Sequence, residues 1–171
     1  MDNEKASATA SRPSDREIVI TRVFAAPREL VWKAWTDPEH MKRWWGPKDY
    51  TCPACKIDLR IGGKYLFCMR GSDGQDIWST GVYRELVAPE RIVCTDSFSD
   101  EKGNIVPATH YGMGDEIPLE MLVTVTLVEH GGKTTMTLRH AGLPAGTMSE
   151  MADAGWNESF DKLAAQLVGK S

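Results

Sequence analysis

The chain has 171 residues, 42% of them hydrophobic and 26% charged, with a net charge of −4 at pH 7. That length fits one domain with a substantial apolar interior, and the mild acidity gives no field for drawing in nucleic acid or anionic membrane. No apolar run approaches the roughly 18–20 residues that span a bilayer, and four cysteines do not make a disulfide scaffold, so a reducing cytoplasm is expected.

The first fifteen residues are polar, lack the apolar core of a signal peptide and read as a disordered tail, leaving 16–171 as a single domain. REIVITRVF (16–24) alternates, with Ile18, Ile20 and Arg22 on one side and Val19 and Val23 on the other, which is the pattern of a strand. Pro27 suits a first helical position, and Leu30, Val31, Ala34 and Trp35 then recur at helical spacing. Thr36 or Asp37 caps a second short helix with Glu39 in capping-box position; it carries Met41, Trp44 and Trp45 until Gly46-Pro47.

From there the period becomes two. CKIDLRI (55–61) puts Cys55, Ile57, Leu59 and Ile61 on one face, and a glycine turn at 62–63 leads into KYLFCMR. A three-residue turn pairing Ile61 with Tyr65, Leu59 with Phe67 and Ile57 with Met69 keeps the apolar residues together. Strands follow around 77–87 and 91–98. LEMLVTVTLVE then places Leu119, Met121, Val123, Val125 and Leu127 on one face, and KTTMTLRH turns Thr134, Met136, Leu138 and His140 inward. Thr147 and Glu150 form a capping box that opens a helix of about twenty residues, with Met148, Ala152, Trp156, Phe160, Leu163 and Leu167 along one face. Such a stripe must lie on something, and the sheet is the large apolar surface available. The expected class is α+β: a curved antiparallel sheet wrapped around a long C-terminal helix, with two short helices after the first strand.

Five stretches in this order resemble a known family: AAPRELVWKAWTDPEHMKRWW, IDLRIGGKY, GVYRELVAPERIV, LVTVTLVEHGGKTTMTL and GWNESFDKLAAQL, together covering about 16–168. The chain is similar to the SRPBCC or START-like superfamily, with its helix-grip fold, in the branch of heat-shock protein 90 ATPase activator homologues. That resemblance implies a largely apolar cavity between sheet and C-terminal helix. It fixes no chemistry, because members of the superfamily bind lipids, hormones or polyketides and some cyclise or dehydrate them.

By strand parity Tyr65, Phe67, Met69, Met121 and His140 face inward from the sheet, and Trp156 and Phe160 face inward from the helix. Gly155 costs about 1 kcal/mol relative to alanine within a helix and makes room beside Trp156. The aperiodic stretch 99–118 contains His110, Tyr111 and Met113, and loops this long are usually functional or disordered. It reads either as a lid over the cavity mouth or as an ordered flap packed for stability. The CPAC motif (52–55) leads into a strand and has no second pair, so neither a metal site nor a thioredoxin-like motif is expected. KRWWGPK mixes base and aromatic, but its basic residues simply complement the dipole of a helix end. The expectation is a binding protein for a small hydrophobic molecule, monomeric or weakly dimeric, with no cofactor or nucleic-acid partner. A cyclase or hydratase using His140, His110 or Tyr111, or a co-chaperone-like interaction module, is the alternative.

Overall fold

The computed structural model describes residues 17–144 and 146–168, with position 147 described by its backbone alone. The polar tail, Arg16 at the expected start of the first strand and the Thr147 side chain of the expected capping box lie outside the described residues.

β1 (Glu17–Phe24) buries Ile18, Ile20 and Phe24 and exposes Val19 and Val23. Arg22 shares the inner face but extends to the last helix. α1 (Arg28–Thr36) buries Val31, Ala34 and Trp35. Pro27 is its N-cap, one position earlier than expected, because its ψ of 157° is still extended. Asp37 caps α2 (Pro38–Met41), its Oδ1 accepting from the Glu39 amide at 2.9 Å. This helix is a single turn, so Trp44 and Trp45 lie beyond it in the following turn. Trp44 is nonetheless fully enclosed, its indole donating to the Ala34 carbonyl at 2.9 Å.

Seven antiparallel strands follow one another across the sheet in the order β1-β7-β6-β5-β4-β3-β2. The others are β2 (Cys55–Ile57), β3 (Lys64–Arg70), β4 (Asp76–Val87), β5 (Arg91–Ser99), β6 (Met121–His130) and β7 (Lys133–Ala141). The α1–α2 connection therefore carries the chain from one edge of the sheet to the other. β6 and β7 join through Gly131-Gly132, both at positive φ, as a two-residue hairpin turn whose twist matches its strands requires. β4 carries a bulge between Tyr83 and Glu85, which adds local bend and twist. Across the inner face α3 (Thr147–Val168) completes a helix-grip fold.

Two expectations about the strands need correction. β2 ends at Ile57, which pairs with Tyr65, while Cys55 pairs with Phe67. That is four residues from the expected pairing, and an even shift leaves each side chain on its face. Residues 58–63 form a loop instead of strand, with the Asp58 amide donating to Lys64 O at 3.0 Å. The Gly62 amide donates to Tyr83 O and the Tyr83 amide donates to Gly63 O, so β4 holds the loop. A Cβ at Gly63 would stand 2.1 Å from the Asp58 carbonyl, so this closure depends on glycine. Leu59 and Ile61 are consequently 43% and 67% exposed. Leu119 is 56% exposed because β6 begins two residues later, at Met121, and the strand's alternation does not yet govern it.

β7 follows its alternation, with Thr134, Met136, Leu138 and His140 buried. The face of α3 divides. Phe160, Leu163 and Leu167 are sealed in the core, whereas Met148, Ala152 and Trp156 near its start are only partly covered.

Candidate functional site

The partly covered half of α3 stands over a recess of about 270 Å³. Met69, Ile77, Ser79, Asp96, Met121 and His140 form its sheet wall, and Met148, Ala152, Gly155, Trp156 and Ser159 its helix wall. Trp45, Gly46, Pro47 and Tyr50, from the segment after α2, form one rim. Phe98, Met113, Ile117 and Leu143 close the other side. The volume sits near the lower end of small-molecule sites, which run from about 300 to 1,000 Å³.

Its polar side is a chain of contacts among four elements. Trp156 Nε1 of α3 donates to His140 Nδ1 of β7 at 3.0 Å. Because Nδ1 accepts, the neutral ring carries its proton on Nε2, which lies 3.5 Å from Asp96 Oδ2 of β5. Burial holds the His140 pKa below its ordinary value, and the Asp96 charge opposes this only in part. The pair is therefore a neutral imidazole facing a carboxylate, in spite of its ion-pair distance. The separation and geometry leave Nε2 without a completed hydrogen bond among the described residues. On the other side the Tyr65 hydroxyl donates to Thr95 O at 2.8 Å and to Asp96 Oδ1 at 3.1 Å. Burial first, then the Asp96 charge, pushes the Tyr65 phenol well above its usual range and keeps it a donor.

The candidate residues separate into two groups. Met69, Met113, Met121, His140 and Trp156 border the recess. Tyr65 and Phe67 stack on each other, ring centroids 4.4 Å apart, and border a separate void of about 30 Å³ that is far smaller than the recess. Phe160 is fully enclosed, 6.1 Å from Trp44 and 5.5 Å from Trp156. His110 is exposed, and its ring meets that of Tyr111 edge-on. The Tyr111 hydroxyl donates to the Ser99 carbonyl and accepts from the Trp78 amide, pinning the 99–118 stretch to the ends of β4 and β5. Asp100 binds the Lys102 and Asn104 amides, and Ala108–Tyr111 forms a 3-10 turn. From Asp100 to Met113 this stretch is thus tied down, and it meets the recess through Met113 and Ile117.

Asp96 is the principal residue that sequence reasoning passed over. β5 is buried on both faces, so its alternation is invisible. A signal existed in the pairing of Asp96 with Met121, whose own strand alternates cleanly. Trp45 and Tyr50 come from irregular chain, where no period assigns a direction.

All four cysteines are free. The Cys55 contact holds the Cys52 thiol below its usual range against the effect of burial, and the same contact, reinforced by burial, pushes Cys55 up. Among the described residues no group of three or more His, Cys, Asp or Glu side chains is arranged to hold a metal ion. None of the described helices is long and apolar enough to cross a membrane.

A seven-stranded sheet gripping one long helix above a lined recess defines the SRPBCC or START-like class. Within that class the chain belongs to the family described as "Activator of Hsp90 ATPase homolog 1-like protein", whose profile matches residues 25–168. A crystal structure of a protein from Chromobacterium violaceum is similar at a TM-score of 0.73 and 30% identity, covering 90% of this chain and 98% of that one. A solution structure of a protein from Arthrobacter aurescens gives 0.77 at 26% identity, covering 95% and 92%. The AHSA1 protein from Silicibacter pomeroyi gives 0.72 at 24% identity, covering 91% and 99%, a likeness of fold. No curated protein matches the chain significantly.

Proposed function

We propose that this protein binds a small apolar or aromatic molecule between the sheet and the first half of α3. The observation that carries this reading is the division of the α3 face, whose unfilled half borders a recess walled by methionine and aromatic side chains. Methionine adapts to irregular guests, and Trp156 offers both ring surface and a fixed orientation through its bond to His140. Burying roughly 250 Å² of apolar ligand surface at ~25 cal/mol per Å² gives about 6 kcal/mol before ordering costs, which supports weak binding unless polar contacts add to it.

Binding is favoured over cyclase- or hydratase-type catalysis by the state of the expected acid–base groups. His140 has its Nδ1 lone pair occupied by Trp156, His110 is exposed and does not border the recess, and the Tyr111 hydroxyl is committed to β4 and β5. Native mass spectrometry of freshly purified protein tests for a guest carried through purification. Titration with the neutral fluorophore N-phenyl-1-naphthylamine tests the location. Ala152→Phe fills the recess and should weaken binding about tenfold or more while leaving the denaturation midpoint nearly unchanged. Undiminished binding by that folded variant places the guest elsewhere and rejects the reading.

A further inference from the structure

Among the described residues bordering the recess there is one carboxylate, Asp96, and neither a lysine nor an arginine. Its side chain keeps 20% exposure, so it is neither sealed in the protein nor freely hydrated. A carboxylate offers about four acceptor positions. Tyr65 occupies one, sharing its proton with Thr95 O, and the His140 Nε2–H points from 3.5 Å without completing a bond. Asp96 thus stands at a largely apolar wall with hydrogen-bonding capacity to spare and, among the described residues bordering the recess, no lysine or arginine to pair with it.

This arrangement discriminates between guests. A pure hydrocarbon would strip water from Asp96 and return nothing, leaving a charge without compensation, which is costly. An anionic guest would add repulsion to that loss. A guest with a donor restores the bond, and one with a positive charge also supplies the missing counter-charge. Trp45, Trp156 and Tyr50 border the same space and add aromatic neighbours, with which cations interact favourably.

We propose that the recess selects a small apolar molecule bearing a protonated amine, whose ammonium group takes Asp96 as its partner. This rests on the recess being a ligand site. The test is a chemical-shift titration of the whole protein with phenethylamine, phenethyl alcohol, propylbenzene and 3-phenylpropionate, following the Gly155 amide and the Trp156 indole N–H. The amine should bind about tenfold tighter than propylbenzene, the scale of a hydrogen bond to a charged group, with the alcohol between and the carboxylate weakest. Asp96→Asn should bring the amine down to the level of the alcohol; should that variant fail to fold, the ranking on the unaltered protein decides alone. Any ranking in which the amine is not the tightest of the four overturns the amine proposal while leaving a ligand-binding recess intact. If none of the four moves the two signals, the recess is not a site for such molecules and both readings fall.

Discussion

Both nitrogens of His140 are directed at protein groups, Nδ1 at the Trp156 indole and Nε2 toward Asp96, and the residue is 5% exposed. Burial keeps its folded pKa below the unfolded value near 6.5, so between those two values the unfolded chain binds more protons than the folded one. The contribution is fully present above about pH 6.5 and is lost as the pH falls toward the folded value. Asp96 is the charged group facing the ring and limits the depression without reversing it. Urea denaturation of His140→Phe should show a shallower fall in stability between pH 6.5 and 5 than the unaltered protein. At pH 7.5 the variant should lose about 1–3 kcal/mol, because the Trp156 N–H is left without its acceptor. An unchanged pH slope would mean that the imidazole is not held neutral. Gly81 shows a different residue-scale constraint. A Cβ there would lie 1.9 Å from Thr95 O and 2.5 Å from the Tyr65 ring, so the absence of a side chain lets Tyr65 lie across its strand partner and reach Asp96.

Among the elements, strands with one face toward solvent showed in sequence both where they run and which side chains turn inward, whereas β5, buried on both faces, was placed at 91–98 without its inward side being readable. β1 and β7 alternate in sequence as they do in space, down to the exposure of Val19 and Val23 and the burial of His140. β5 hides its alternation, and Asp96 with it. The Asp58–Gly63 loop escaped because what holds it is Tyr83, a partner twenty residues away that no local period announces. The stretch after β5 shows the same limit. Its length and composition marked it as unusual, but the bond from Tyr111 back to Ser99 is a tertiary fact. Tyr111→Phe should cost about 1 kcal/mol and speed amide exchange across 104–116, read by hydrogen–deuterium exchange. Unchanged protection there would show that Asp100 and the 3-10 turn hold the stretch without the clasp.

For the whole molecule, α3 works as two pieces in series. Its later part joins the tryptophan cluster of Trp35 and Trp44 and is tethered to β1 by Arg22, which reaches Asp161 at 2.8 Å. Its earlier part borders open space. The fold class and the full apolar stripe were readable from the spacing of Met148, Ala152, Trp156, Phe160, Leu163 and Leu167. Which of these positions the protein fills was not, because that depends on the curvature of a sheet whose seven strands are spread over the whole preceding chain. Phe160→Ala should destabilise by about 3–5 kcal/mol, the cost of an aromatic-sized cavity. Met148→Ala should change stability by less than about 1 kcal/mol, both measured by chemical denaturation. Comparable losses at the two positions would show that the recess collapses onto its wall.

The partition of that helix has an evolutionary corollary. Positions 148 and 152 border open space and should accept alteration at little thermodynamic cost, whereas a Cβ at 155 would stand 3.3 Å from Pro47, and 160, 163 and 167 hold the scaffold together. Diversification of what is recognised is thereby uncoupled from survival of the architecture, so a single ancestral shape could be retuned for unrelated guests by a handful of changes within two turns of one helix.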